Sequence, residues 1–231
     1  MKRLQRFRGP SLVLLVAVHI LLFAANMVAA ALLRQGAPFV NPYAAGEIVR
    51  TFFLQNPRAV QVSNFFLFGS AVPLGIFAAT VVSRLRYLGV RAAGTNIALL
   101  GGFWASGALA LSGAFGWILS LPEVTTSVSV VQALCFSSFL FGGMGFTVGF
   151  GLLVAGVSIT GYFARLLSPG LVAFGMVVAI AGELSSLSLL FYPANFLIPI
   201  ARYLGIVWLV LVAIRLSKTV PKEQLVAGKA A

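Results

Sequence analysis

Charge is what this chain has least of. Only 9% of its 231 residues are charged, with four acidic side chains, one histidine and one cysteine. A soluble domain carries roughly 25% charged residues, so this chain has too few polar groups to cover a surface facing water. The single cysteine, Cys135, excludes a disulfide framework, a CxxC redox pair and a cysteine-built metal site; a lone cysteine in an apolar run is ordinarily a small buried hydrophobe. One histidine, His19, excludes a two-histidine haem. Metal clusters of any common kind lack their ligands, and no cofactor is expected.

What the chain does have is apolar length. Sixty per cent of it is hydrophobic and its mean hydropathy is +1.04. The runs far exceed the roughly 9–11 residues of a membrane β-strand and lack its alternation. The fold class expected is all-α: a polytopic transmembrane helical bundle in one domain, with the lipid bilayer as part of its solvent. The net charge of +12 sits at the ends of apolar runs, where membrane topology puts it. No basic stripe with interleaved aromatics offers itself to nucleic acid.

Lys2, Arg3, Arg6 and Arg8 precede an uncharged run from Ser11 to Leu33. A signal peptide begins similarly, and Ala29-Ala30-Ala31 resembles a cleavage site, but the run is longer than the roughly 7–15 residues of a signal core. A retained first span, 11–33, is expected. His19 and Asn26 lie on one face of it. Asn41-Pro42 and Asn56-Pro57 read as helix starts. Between them, an amphipathic helix over 42–55 sets Ile48, Val49, Phe52 and Phe53 against Glu47, Arg50 and Thr51. It suits either the membrane surface or a lid over the span ends. The second span, 59–83, contains Pro73, which removes a backbone hydrogen bond and should kink it. The third, 96–121, has Thr95 as a cap and two rows of small residues, Gly102/Ser106/Ala110 and Ala108/Ser112/Gly116, suited to close helix packing.

From Ser127 to Ala164 no residue is charged. One straight helix of that length would be about 57 Å long, nearly twice the ~30 Å hydrocarbon core. Gly142-Gly143-Met144-Gly145 and Gly149-Phe150-Gly151 mark the places for a break. With six spans and both termini inside, twelve lysines and arginines fall on the inner side and four (Arg34, Arg50, Arg58 and Arg202) on the outer. An extra crossing at the glycines makes the count eight against eight. The positive-inside rule selects six spans. The fourth is therefore 140–164, with 128–141 an outer extension or a bent section. Ser168-Pro169 caps the fifth, 170–191; the sixth is 196–216, and 217–231 is a polar, mobile tail.

Two ionisable groups interrupt this apolar text. Glu183 stands in the fifth span beside a ridge of Gly175, Ala179, Gly182 and Ser186, and Arg202 in the sixth. An unpaired charge in hydrocarbon costs at least ~2.5 kcal/mol, which makes both functional candidates. Counted from the outer boundary they lie about 12 and 9 Å deep in neighbouring antiparallel spans. An ion pair between them is predicted, with Ser186 sharing the carboxylate. On the same count His19 lies somewhat deeper towards the inside and Asn26 nearer the outside, giving a polar centre of Glu183, Arg202, Ser186, His19 and Asn26. Two readings follow: a proton or small polar solute path, or a fixed interhelical clamp in which His19 bonds a neighbouring carbonyl.

No catalytic constellation is present. Ser106 and Ser112 lack the GxSG context of intramembrane hydrolysis, and the glycines of 142–151 lack the lysine of a phosphate loop. The segments Ala181–Leu189 and Phe196–Arg202 with Trp208 resemble the C-terminal part of small bacterial multi-span proteins of unknown function, and Asn56 to Gly89 is similar to another part of them. That resemblance covers about two thirds of the chain. It implies a bacterial cytoplasmic (inner) membrane protein and no particular activity. The functional expectation is a small transporter or permease-like protein. The alternative is a scaffold or accessory subunit that packs against a partner helix or a second copy of itself. A topology reporter fused after Arg165 should read cytoplasmic; an external signal would overturn the six-span count.

Overall fold

The structure is a computed structural model that describes residues 9–35 and 40–219; the expected mobile tail lies, from residue 220 on, outside them. Among the described residues there are helices and no strands. Six helices or helix pairs are long and apolar enough to cross a membrane: Leu12–Leu32, Pro57–Tyr87, Ala93–Ile118, Val128–Phe163, Pro169–Leu189 and Tyr192–Lys218. The α-helices proper are α1 (Leu12–Leu32), α2 (Gly46–Gln55), α3 (Pro57–Tyr87), α4 (Ala93–Ile118), α5 (Val128–Leu140), α6 (Phe146–Phe163), α7 (Pro169–Leu184) and α8 (Leu197–Lys218). The spans α1, α3, α4, α6, α7 and α8 pack in that order, and α8 returns to α1 by a thinner joint, closing a ring. Phe77, Phe150, Leu153 and Leu209 are fully buried within it.

Small residues set how close the helices lie. A Cβ added to Gly101 of α4 would sit 2.5 Å from the Gly149 carbonyl oxygen and from the Leu153 nitrogen of α6. One added to Gly156 would sit 2.5 Å from the Gly94 carbonyl oxygen. The two backbones are therefore in direct contact along this seam, as helices in lipid require when no hydrophobic driving force brings them together. The predicted row Gly102/Ser106 turns to α3 instead: Gly102 meets Ala78, and the Ser106 hydroxyl donates to the Ala71 carbonyl at 2.7 Å.

Helix ends follow local chemistry, with some shifts from expectation. Ser11 caps α1 and Ser168, followed by Pro169, caps α7. Asn41 accepts from the Tyr43 N–H in a local turn, so α2 starts four residues later than the reading over 42–55. Asn56 ends α2 and its Pro57 opens α3, yet its side chain bonds the Phe52 carbonyl and the Gln35 N–H rather than capping. Thr95 lies inside α4, where its hydroxyl bonds the Ala92 carbonyl. Pro73 is accommodated within an uninterrupted α3. The fifth span stops being α-helical at Leu184 and continues as a tighter 3₁₀ turn, Ser185–Leu189.

The uncharged stretch forms one span with a break where the glycines are densest. Residues Phe141–Gly145 form a π-turn in which Gly143 leaves the helical region (φ −86°, ψ −107°). The α5 section beyond it packs on α4 and carries α2. Val49 and Phe53 of α2 are buried with Val60, Leu119, Val131 and Cys135 in a second, smaller core. Arg50 ties α2 down through the Thr125 carbonyl at 2.8 Å. Of the four expected apolar positions, Ile48 faces outward, 61% exposed. The amphipathic helix is thus a lid on the span ends, because its apolar side is already covered by protein. At the opposite end the buried Arg84 of α3 donates to the carbonyls of Leu216 and Thr219, closing the C-terminus of α8.

The α4–α6 contact yields a prediction. Gly149→Leu should destabilise the protein by about 1–3 kcal/mol or more through overpacking, read as a fall in its midpoint in a detergent denaturation series. Gly107→Leu, at a position with no heavy atom within 4 Å of the added carbon, should leave that midpoint unchanged.

Candidate functional site

Arg202 emerges from the second turn of α8 and crosses to the π-turn, where its guanidinium donates to the Gly142 carbonyl. The turn makes this possible: at its end the Phe146 N–H bonds the Phe141 and Gly143 carbonyls, while Gly142 presents its oxygen to α8. The guanidinium carbon lies 5.1 Å from the centroid of the Phe146 ring and 5.8 Å from that of Phe23. Two ring faces and a carbonyl dipole attract a cation, but none supplies a full negative charge. The buried Arg202 Nε has no hydrogen-bond partner.

The predicted ion pair does not form. Among the described residues the one salt bridge is Arg50–Glu47, at 3.2 Å. Glu183 turns towards α6, with Oε1 3.0 Å from where a Gly151 Cβ would be, and this oxygen is buried without a hydrogen-bond partner. Ser186 does not share the carboxylate either; its hydroxyl donates to the Glu183 backbone carbonyl at 2.6 Å. The physical reason is azimuth. Counting residues from a membrane boundary gives height along each helix and leaves rotation about the axis open. On α8 the face of Arg202, Ile206 and Leu209 looks into the ring, whereas on α7 the Ala179–Gly182–Glu183 edge lies on Thr147 and Gly151 of α6. The ridge of Gly175, Ala179 and Gly182 packs as expected, but the 3₁₀ turn leaves Ser186 exposed.

His19 and Asn26 do join Arg202. A cavity of about 300 Å³ is bounded by α1, α3, α4, α5, the π-turn and α8, and its lining includes Asn26, Ser112, Ser138, Gly142, Arg202 and Tyr203. A much smaller cavity, about 10 Å³, lies deeper between His19, Phe23, Phe146 and Arg202, about the size of one water molecule. The His19 Nδ1 lies 2.8 Å from the Ser70 carbonyl oxygen. A carbonyl only accepts, so Nδ1 carries a proton and Nε2 is the remaining polar atom of the ring. Ser70 stands three residues before Pro73, at the turn where proline disturbs the α3 hydrogen-bond ladder.

Towards the α2 end, the 300 Å³ cavity shares Asn26, Ala30, Ser138 and Phe139 with a third space of about 240 Å³. This outer space lies under α2 and is lined also by Arg34, Phe52, Phe53, Asn64 and Cys135. Ser112 and Ser138 clasp across the α4–α5 seam, each hydroxyl donating to the other residue's carbonyl, at 2.8 and 3.0 Å. Sequence reasoning missed Arg34, Asn64, Ser138 and Tyr203 as site residues. The glycine cluster signalled a break at 142–145, but the acceptor this break offers to Arg202 carries no sequence signature. No group of three or more histidine, cysteine or acidic side chains that could hold a metal occurs among the described residues. Compared with protein-family models, curated proteins and solved structures, the chain matches none.

The separation of Glu183 from Arg202 is testable. Glu183→Gln should insert and melt like the parent, within about 2 °C, because no cation loses a partner. Exchanging the two charges, Glu183→Arg with Arg202→Glu, should unfold the protein rather than restore it. A stable exchanged protein beside two unstable single variants would re-establish the clamp.

Proposed function

We propose that this chain is a small multi-pass transporter or permease-like protein that binds an anion at Arg202, in the centre of the ring. The observation that carries this reading is a cation facing a cavity of about 300 Å³ with no carboxylate among the described residues beside it. Glu47 is engaged with Arg50, Glu123 is exposed in the turn after α4, and Glu183 lies on the α6–α7 seam. A guanidinium in a low-dielectric site is poorly tolerated without a counter-charge, and a carboxylate or similar anion matches its planar fork of donors. The solute, in this reading, supplies the charge that the chain withholds. His19, one small cavity away from Arg202, is the group through which a proton would be coupled to the anion.

The same reading sets the protein in a bacterial inner membrane with both termini in the cytoplasm, as the positive-inside count supports. The cavity then lies in the outer half of the bilayer, under α2. A scaffold or accessory subunit is favoured less, because the glycine faces that would serve a partner helix are spent inside the bundle, at Gly101, Gly149 and Gly156.

Proteoliposomes holding the purified protein, tested with tracer chloride, acetate and phosphate, should pass or bind at least one of them. Arg202→Gln should lower that signal at least tenfold while remaining folded, and Glu183→Gln should keep more than half. An Arg202→Gln protein indistinguishable from the parent, or no response to any of the three anions, would leave the scaffold as the better account.

A further inference from the structure

The walls of the site say more about the anion than Arg202 alone. The inner cavity offers hydrocarbon on most sides: Phe23, Met27, Leu67, Leu109, Phe139 and Ile198. Its serine hydroxyls are committed, since those of Ser112 and Ser138 donate to each other's carbonyls, and the Tyr203 hydroxyl faces the Met27 sulfur. A small hydrated ion such as chloride or phosphate would exchange its water shell for one guanidinium, one asparagine amide and otherwise apolar surface, a poor exchange for a concentrated charge. An anion with an apolar tail meets no such penalty, because the tail uses those walls.

The shape also suits a tail. The outer space of about 240 Å³ shares Asn26, Ala30, Ser138 and Phe139 with the inner one, and a chain passing from one to the other would cross a neck at these residues. Along α1, from Phe23 beside the guanidinium to Arg34 at the far end, the rise is roughly 16 Å, the span of a medium-length acyl chain. The α1–α8 joint is the side by which an amphiphile would enter. Met27 and Tyr203 line the inner cavity and are 43% and 47% exposed. They meet across the α1–α8 joint through a Tyr203 hydroxyl to Met27 sulfur contact of 4.0 Å, and this is the thinner joint of the ring.

From these features we propose that the cavities together form a binding site for a single-chain carboxylate amphiphile. Its head lies at Arg202, its chain passes the Ala30 neck into the space under α2, and it enters sideways from the bilayer between Met27 and Tyr203. One negative charge balances one guanidinium, and the volume of the two spaces suits one chain rather than a two-chain phospholipid. The inference rests on the anion site proposed above and narrows its ligand.

The experiment titrates the purified protein in amphipol with dodecanoate, acetate and dodecyltrimethylammonium, reading heat of binding and thermal midpoint. Dodecanoate should bind at least 100-fold more tightly than acetate, and the cationic amphiphile should not compete with it. Arg202→Gln should weaken dodecanoate at least tenfold. Ala30→Phe, which plugs the neck, should weaken dodecanoate at least tenfold while leaving acetate within twofold; Ala30→Val serves, with a smaller effect, if the larger side chain impairs folding. If dodecanoate binds no better than acetate and both need Arg202, the amphiphile is wrong and the small-anion site survives. If dodecyltrimethylammonium binds as well as dodecanoate, or Arg202→Gln changes nothing, the proposal fails as mere apolar partitioning. No binding of either carboxylate would remove both readings.

Discussion

The guanidinium of Arg202 sits in an apolar bundle with no carboxylate of the described residues paired to it, and its surroundings make that tolerable. Two aromatic faces flank it, and a carbonyl turned out of its helix accepts from it. That carbonyl is available because a glycine-rich π-turn interrupts the fourth span. Such turns occur disproportionately at functional sites. These arrangements solvate the cation in part and pair it with no carboxylate of the described residues, and the anion site proposed above rests on that.

The ring that encloses this site is held by close backbone contact together with a few interhelical hydrogen bonds. Backbone contact at Gly101, Gly149 and Gly156 joins α4 to α6, while Arg84 locks the far end of α8 to α3. The α1–α8 joint is thinner, and the larger cavity lies beside it. The lid helix α2 closes the outer space from above, with Val49 and Phe53 buried in its own small core.

Much of this was legible in residue order alone. Long apolar runs bounded by arginine and lysine gave six spans. Dense glycine over 142–145 gave the break in the fourth, and Ser168-Pro169 gave a helix start. Arg202, His19 and Asn26 stand out in residue order because polar groups in hydrocarbon are costly wherever they point. Glu183 was identified on the same ground, but its partner was not: matched depth suggested Arg202, whereas the rotation of α7 turns the carboxylate to Gly151.

Composition and order thus determined the solvent this protein folds in, the number of its spans and which side chains are expensive. Those properties depend on transfer free energies, which each segment carries with it. Tertiary structure alone decided which polar groups meet, because meeting depends on the azimuth of each helix, and azimuth is fixed by how small and large residues of neighbouring helices interlock. The sequence therefore contained Arg202, its aromatic flanks and the carbonyl it reaches. Only the packed ring brought them together and left Glu183 outside the cavities that Arg202 lines.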